Sequence, residues 1–200
     1  MPKRVDHAER RTEIAEALLR VAGQRGLHAV RMRDVAAEAG VSLRLVQYYF
    51  ETKEKLLLYG LEHLTERFGE RVAARLRAAG DNPGPRAVIE AILMASLPTD
   101  EAGRTFHLVY TSYAVLSVTD EALAAQPFIR SPEAAEDHLT ELLRAAREAD
   151  LTHPGTDPRP EAIALLALSA GLGTSILVGH RSPESAMAVL ERQLDRIFRA

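Results

Sequence analysis

"RMRDVAAEAGVSLRLVQYYFETKEKLL", residues 31–57, carries two apolar patterns on either side of a glycine turn. Ahead of the turn, Met32, Val35, Ala36 and Ala39 fall on one side of a short helix that Gly40 closes. Behind it, Ser42 is a helix N-cap whose hydroxyl can take a free backbone N–H. The helix it starts keeps Val46 and Phe50, with Val41 before them, on the buried side, and turns Leu43, Arg44, Gln47 and Tyr48 the other way. Two short helices around a sharp turn, the second with a buried side and a side of donors, make a helix-turn-helix. Its second helix can lie in the DNA major groove.

The pattern outside this stretch is helical throughout. From Ala8 to Arg25, Ile14, Leu18, Val21 and Ala22 recur at amphipathic spacing, and Gly26 supplies a stop. Thr52 can cap a helix over 53–79 whose stripe runs Leu57, Leu61, Leu64, Phe68, Val72 and Leu76. At 1.5 Å per residue that rod is about 40 Å long. "GDNPGP", 80–85, is a turn cluster, followed by "RAVIEAILMASL" and then a helix from about Asp100 with Phe106, Tyr110 and Tyr113 along one face. Ser131-Pro132, Asp157-Pro158 and Ser182-Pro183 are three further helix starts. The expected fold is all-α: a three-helix DNA-binding head over 1–52 and a larger helical ligand-binding and dimerisation domain over 53–200, with about nine helices in total.

Charge divides the same way. Residues 1–55 hold eleven Lys/Arg against eight Asp/Glu, a net of +3, whereas the remainder holds 14 against 20, a net of −6. A basic head on an acidic body is the electrostatic footprint of phosphate binding. There is no cysteine, so disulfides and thiolate metal sites are excluded. The start, "MPKRVDHAERR", lacks the apolar run of a secretory signal, and the expected compartment is the cytoplasm.

The donors on the second short helix suit DNA chemically. Arg44 can give two hydrogen bonds to guanine O6 and N7, and Gln47 can pair with adenine, each contact worth about 1–3 kcal/mol of discrimination. Leu43 can touch a thymine methyl. Ser42, Tyr48, Tyr49, Lys53, Arg31 and Arg33 are suited to phosphates, which set register.

In the body, "AIALLALSAGLGTSILVG", 162–179, has no charge over eighteen positions, the lower limit for a membrane span. Three glycines and three hydroxyl residues within the run argue against a span, and a helix apolar all round is buried all round, either with one face against a second subunit or by tight packing within one. Ser169, Gly171, Gly173, Ser175 and Ile176 would face that copy, with Met187, Leu190, Leu194 and Ile197 of the last helix, in an isologous dimer. A small-molecule cavity between helices would be lined by Leu61, Leu64, Phe68, Met94, Phe106, Tyr110, Tyr113 and Phe128, although an aromatic stripe at helical spacing is also what plain core looks like. The seven histidines show no HExxH spacing, and "GLG" at 171–173 inside an apolar helix is too little for a phosphate loop. Neither an enzyme nor a metal or other cofactor is expected.

Residues 31–57 resemble the DNA-binding signature of TetR-family transcriptional regulators: the alanine pair, the Gly-Val-Ser turn, the Tyr-Phe ending and the following Thr-Lys-Glu stand in register. The carboxy-terminal half is similar to regulators of the BetI type. The resemblance implies operator contacts at Ser42, Leu43, Arg44, Gln47, Tyr48, Tyr49 and Lys53, a small-molecule effector in the body, and a dimer acting as a repressor on a near-palindromic operator. The pattern departs at Arg31, where Ser or Thr is usual, at Arg44, where glycine is common, and at Gln47, where tyrosine often stands.

Overall fold

The structure, a computed structural model, describes residues 7–118 and 131–199. Among these residues there are nine α-helices and no extended strand. In chain order they are α1 His7–Arg25, α2 Met32–Glu38, α3 Leu43–Phe50, α4 Lys53–Ala79, α5 Pro85–Ser96, α6 Glu101–Ser117, α7 Ser131–Glu148, α8 Pro158–Leu177 and α9 Pro183–Ile197.

Local chemistry sets most of the boundaries. Ser42, Thr52, Asp100 and Ser182 each accept a hydrogen bond from the backbone N–H three residues on, which satisfies one of the free donors of α3, α4, α6 and α9. Pro85, Pro158 and Pro183 stand in the first turns of α5, α8 and α9, where a missing N–H costs nothing. Gly40, at φ 66°, makes the left-handed step between α2 and α3.

Two cores result. The first joins Ile14, Leu18 and Val21 of α1, Val35 and Ala36 of α2, Val46 and Phe50 of α3, Leu56, Leu57, Leu61 and Leu64 of α4, and Val109 and Tyr113 of α6. The rod α4 and the body helix α6 thus share one apolar cluster with the head, and α1 comes so near α4 that a Cβ on Gly60 would lie 2.3 Å from Leu18 Cδ2. The second core holds Ile89, Leu93 and Met94 of α5, Leu139 and Leu143 of α7, Leu165 and Leu172 of α8, and Leu190, Leu194 and Ile197 of α9.

Polar contacts join helices in the interior. Ser169 of α8 meets Ser96 of α5, Oγ to Oγ, at 2.7 Å. His107 of α6 is buried with Nε2 3.2 Å from Thr174 Oγ1. Burial pushes the His107 pKa below its ordinary value, so the ring is favoured neutral. At the end of the chain, Arg199 N–H donates to Leu151 O and His153 N–H to Ile197 O, tying the tail to the α7–α8 loop.

Five of the residues expected at a subunit interface lie inside the subunit. Leu190, Leu194 and Ile197 are at most 2% exposed and fill the second core. Ser169 is hydrogen-bonded inward. Gly173 lies under the His107 ring, where a Cβ would come within 2.2 Å of Cε1. The reason is that α9 spends its apolar face on its own α5 and α8, and the small residues of α8 at 169 and 173 admit α5 and α6. From Ile163 onward, what remains outward on α8 is Ile163, Ala164, Ala167, Ala170, Gly171 and Thr174, with Val178, 71% exposed, just past its end. By length and composition α8 could cross a membrane. Its inner side is core here, and its outer side is a stripe of small and apolar residues.

Candidate nucleic-acid interface

Helix α3 is short, and its two sides differ sharply. Val46 and Phe50 are buried against α1, α2 and α4, while Leu43, Arg44, Gln47 and Tyr48 face solvent, Tyr48 at 69% exposure. Ser42 uses its hydroxyl to hold Leu45 N–H at 3.2 Å, which fixes the start of the helix. Tyr49 is half-buried, edge-on to Tyr48 at 5.2 Å and to His7 at 5.7 Å. Lys53 follows at the start of α4. Arg31 is the N-cap of α2 but gives no side-chain cap bond, so its guanidinium, like that of Arg33, extends into solvent.

The ion pairs sort the cations of this region into two groups. Arg20 is paired with Glu38 at 2.6 Å, Arg25 with Asp34 at 3.7 Å and Lys55 with Glu51 at 2.7 Å. Arg31, Arg33, Arg44 and Lys53 have no carboxylate partner among the described residues. Exposed pairs contribute little to stability, but an unpaired arginine keeps its planar fork of donors for a phosphate or a guanine edge. Arg31, Arg33 and Arg44 are exposed, and Lys53 is half-buried at the start of α4.

Behind this surface a cleft of about 970 Å³ opens where α1, α4 and α6 meet. Leu64, Phe68 and Phe106 line it, as the sequence suggests, and Phe106 is stacked between Phe68, at 4.6 Å, and Tyr110, at 5.9 Å. The other expected lining residues lie elsewhere. Tyr110 stacks on Phe106 without lining the cleft, Leu61 and Tyr113 are buried in the first core and Met94 in the second. Phe128 lies outside the described residues.

The reading from sequence missed the polar half of this cleft, which includes Glu16 and Arg20 from the head and Arg67, Arg71 and Asp100 from the body. Arg71 grips both Asp100 oxygens at 2.9 Å and reaches the Ala95 carbonyl at 3.4 Å. Burial of Asp100 opposes its charged form, but the Arg71 hydrogen bond, the Gly103 N–H and the charges of Arg71 and Arg75 outweigh it, so its pKa falls below the usual carboxylate value. One signal was available: Arg67 and Arg71 stand four apart beside the apolar stripe of α4. Their partners on other helices were not visible from it.

Comparison with known proteins fits these features. Residues 14–59 match the family model of bacterial regulatory proteins of the tetR family, and residues 85–199 match that of the BetI-type transcriptional repressor C-terminal region. The HTH-type transcriptional regulator PksA of Bacillus subtilis is 30% identical over 86% of this chain and 80% of its own length. A regulator named BetI from Brucella anthropi is 37% identical, in a match that spans half of each chain. Among solved structures, a TetR-family regulator from Rhodococcus superposes with a TM-score of 0.79 at 26% identity, covering 96% of this chain and 99% of that one. A regulator from Saccharomonospora viridis, solved in complex with choline, has the same fold at a TM-score of 0.85 and 23% identity, over 96% of this chain and all of that one. The chain belongs to the TetR family of DNA-binding transcriptional regulators, with a carboxy-terminal region of the BetI type.

Proposed function

We propose that the chain is a ligand-responsive repressor that binds a near-palindromic operator as a homodimer. Residues 1–52 read DNA, and residues 53–200 take the effector and pair the subunits. The observation that carries the DNA half is the separation of charges on the head: Arg31, Arg33, Arg44 and Lys53 are held out unpaired while their neighbours are neutralised. On this reading Arg44 and Gln47 contact bases, Leu43 touches a thymine methyl, and Ser42, Tyr48, Tyr49, Lys53, Arg31 and Arg33 set the register on phosphates.

The cleft supports the regulatory half, because one wall belongs to α1 of the head and the others to α4 and α6 of the body. A ligand between Phe68, Phe106 and α1 would bind the two relative positions of head and body unequally. A coupling of about 1–3 kcal/mol changes operator affinity several-fold to a hundredfold. The outward stripe on α8 supports pairing of subunits through that helix. As in other regulators of this family, the cytoplasm is the expected site of action.

The test is titration of the full chain against DNA duplexes selected from a random-sequence pool, followed by sedimentation of the complex. Two subunits on two inverted half-sites are expected, with binding that weakens steeply as salt rises. Choline, the compound held by the Saccharomonospora protein, is the first effector to add. One subunit per duplex, or affinity indifferent to salt, would contradict the proposal.

A further inference from the structure

The junction between α3 and α4 is abrupt. Phe50, the last residue of α3, is 2% exposed. Glu51 then takes φ 57° and ψ −58°, and Thr52 N–H donates to the Phe50 carbonyl, closing a three-residue γ-turn. With this sign of φ such a turn is rare and strained, and on a residue with a Cβ it persists only where its surroundings hold it in place.

The holding group comes from α1. Phe50, just before the turn, and Tyr59 of α4 stand with ring centres 5.4 Å apart. The Arg11 guanidinium lies against both, 4.4 Å from the Tyr59 ring centre and 5.3 Å from that of Phe50. Arg11 Nε is buried without a hydrogen-bond partner among the described residues, and no carboxylate there pairs with the side chain. Arg11 as a whole is half-exposed, but its Nε is shut off from water with no acceptor, which is costly unless something compensates it. The two ring faces do so, and in return the cation ties three helices together at one point.

We propose that Arg11 is a positioning residue for operator binding: through Phe50 and Tyr59 it sets the angle of α3 on the α4 rod, and so presents Arg44 and Gln47 to the groove without itself touching DNA. This rests on α3 being the reading helix. Loosening the clamp lets α3 sample other angles, and affinity falls by the fraction of heads no longer competent to dock.

The test uses the full-length chain, the duplex that the wild type selects from a random-sequence pool, and fluorescence anisotropy at several salt concentrations. Arg11→Met is expected to bind more weakly by up to about tenfold, between the sizes of an exposed and a fully desolvated cation–π contact. The factor should be the same on the selected duplex and on its single-base variants, with the salt slope unchanged. Arg11→Lys should recover part of the loss. Tyr59→Leu should lose a similar factor, and the double variant no more than the larger single loss, because both remove one contact. If Arg11→Met does not fold, as judged by its thermal midpoint, the Lys and Tyr59 variants carry the same comparison. Full affinity with a lowered thermal midpoint would reduce Arg11 to packing. A salt slope smaller by about one would make it a phosphate contact. Additive losses in the double variant, or a lysine no better than methionine, would equally overturn the proposal. If the wild type selects no duplex at all, the reading of α3 fails first and the proposal with it.

Discussion

Arg44 on α3 and Lys53 at the start of α4 both lack a carboxylate partner among the described residues, yet different losses are expected on removing them. Arg44→Ala should cost about 1–3 kcal/mol at one or two base positions and little at others, because a bidentate contact to a base edge distinguishes that base. Lys53→Ala should weaken every duplex about equally and lower the salt slope by about one, since a phosphate looks the same in any sequence. Affinities on a set of single-base operator variants separate the two, and superimposable profiles would refute the division. A third substitution tests packing. Gly173→Ala would place a methyl 2.2 Å from the His107 ring, and over-packing of this kind costs about 1–3 kcal/mol, which a thermal melt should register as a lower midpoint.

These positions differ in how far the sequence reveals them. Arg44 and Gln47 could be placed because their own helix settles the matter: with Val46 and Phe50 inward, residues at 44 and 47 must point out. Gly173 could not. Two small residues four apart read equally well as facing a partner subunit or an inner helix, and what decided the matter was a histidine 66 positions earlier in the chain.

At the scale of elements, caps and prolines make the helix boundaries legible, because they act within four residues of where they stand. Contacts between helices are another matter, and Asp100 illustrates it. It caps α6 through Gly103 N–H at 2.7 Å, a role its place before a helix suggests, but it also receives Arg71 from α4. Because its pKa is lowered in the folded chain, the stabilisation it gives is fully present above its unfolded pKa near 4 and is lost as pH falls through the folded value. Thermal midpoints of the wild type and Asp100→Asn should therefore differ by a constant amount from about pH 5 to pH 8 and converge in stronger acid. A gap that widens on acidification would show that Asp100 is not held in its charged form.

For the whole molecule, the division into basic head and acidic body was visible in composition, whereas the shared apolar cluster was not. Leu56, Leu57, Leu61 and Leu64 of α4 and Val109 and Tyr113 of α6 pack with Ile14 and Leu18 of α1, so movement of the rod must move the head. The amphipathic stripe of α4 gave its face but not its neighbour. The outer stripe of α8 leads to a prediction at this scale. Ala167→Glu puts a charge on an exposed position of that stripe, and is expected to leave the fold intact while shifting sedimentation from the proposed dimer to monomer and weakening operator binding. An unchanged dimer would move the interface to another face.

The central claim, that the outer side of α3 enters the major groove, has a direct test because the chain contains no cysteine. A single thiol introduced as Gln47→Cys and tethered to an iron–EDTA cleavage reagent should cut the selected duplex in two compact patches, one in each half-site, at bases facing the major groove. Cutting spread evenly along the duplex, or no cutting by a chain that still binds, would place α3 away from the groove and contradict the account.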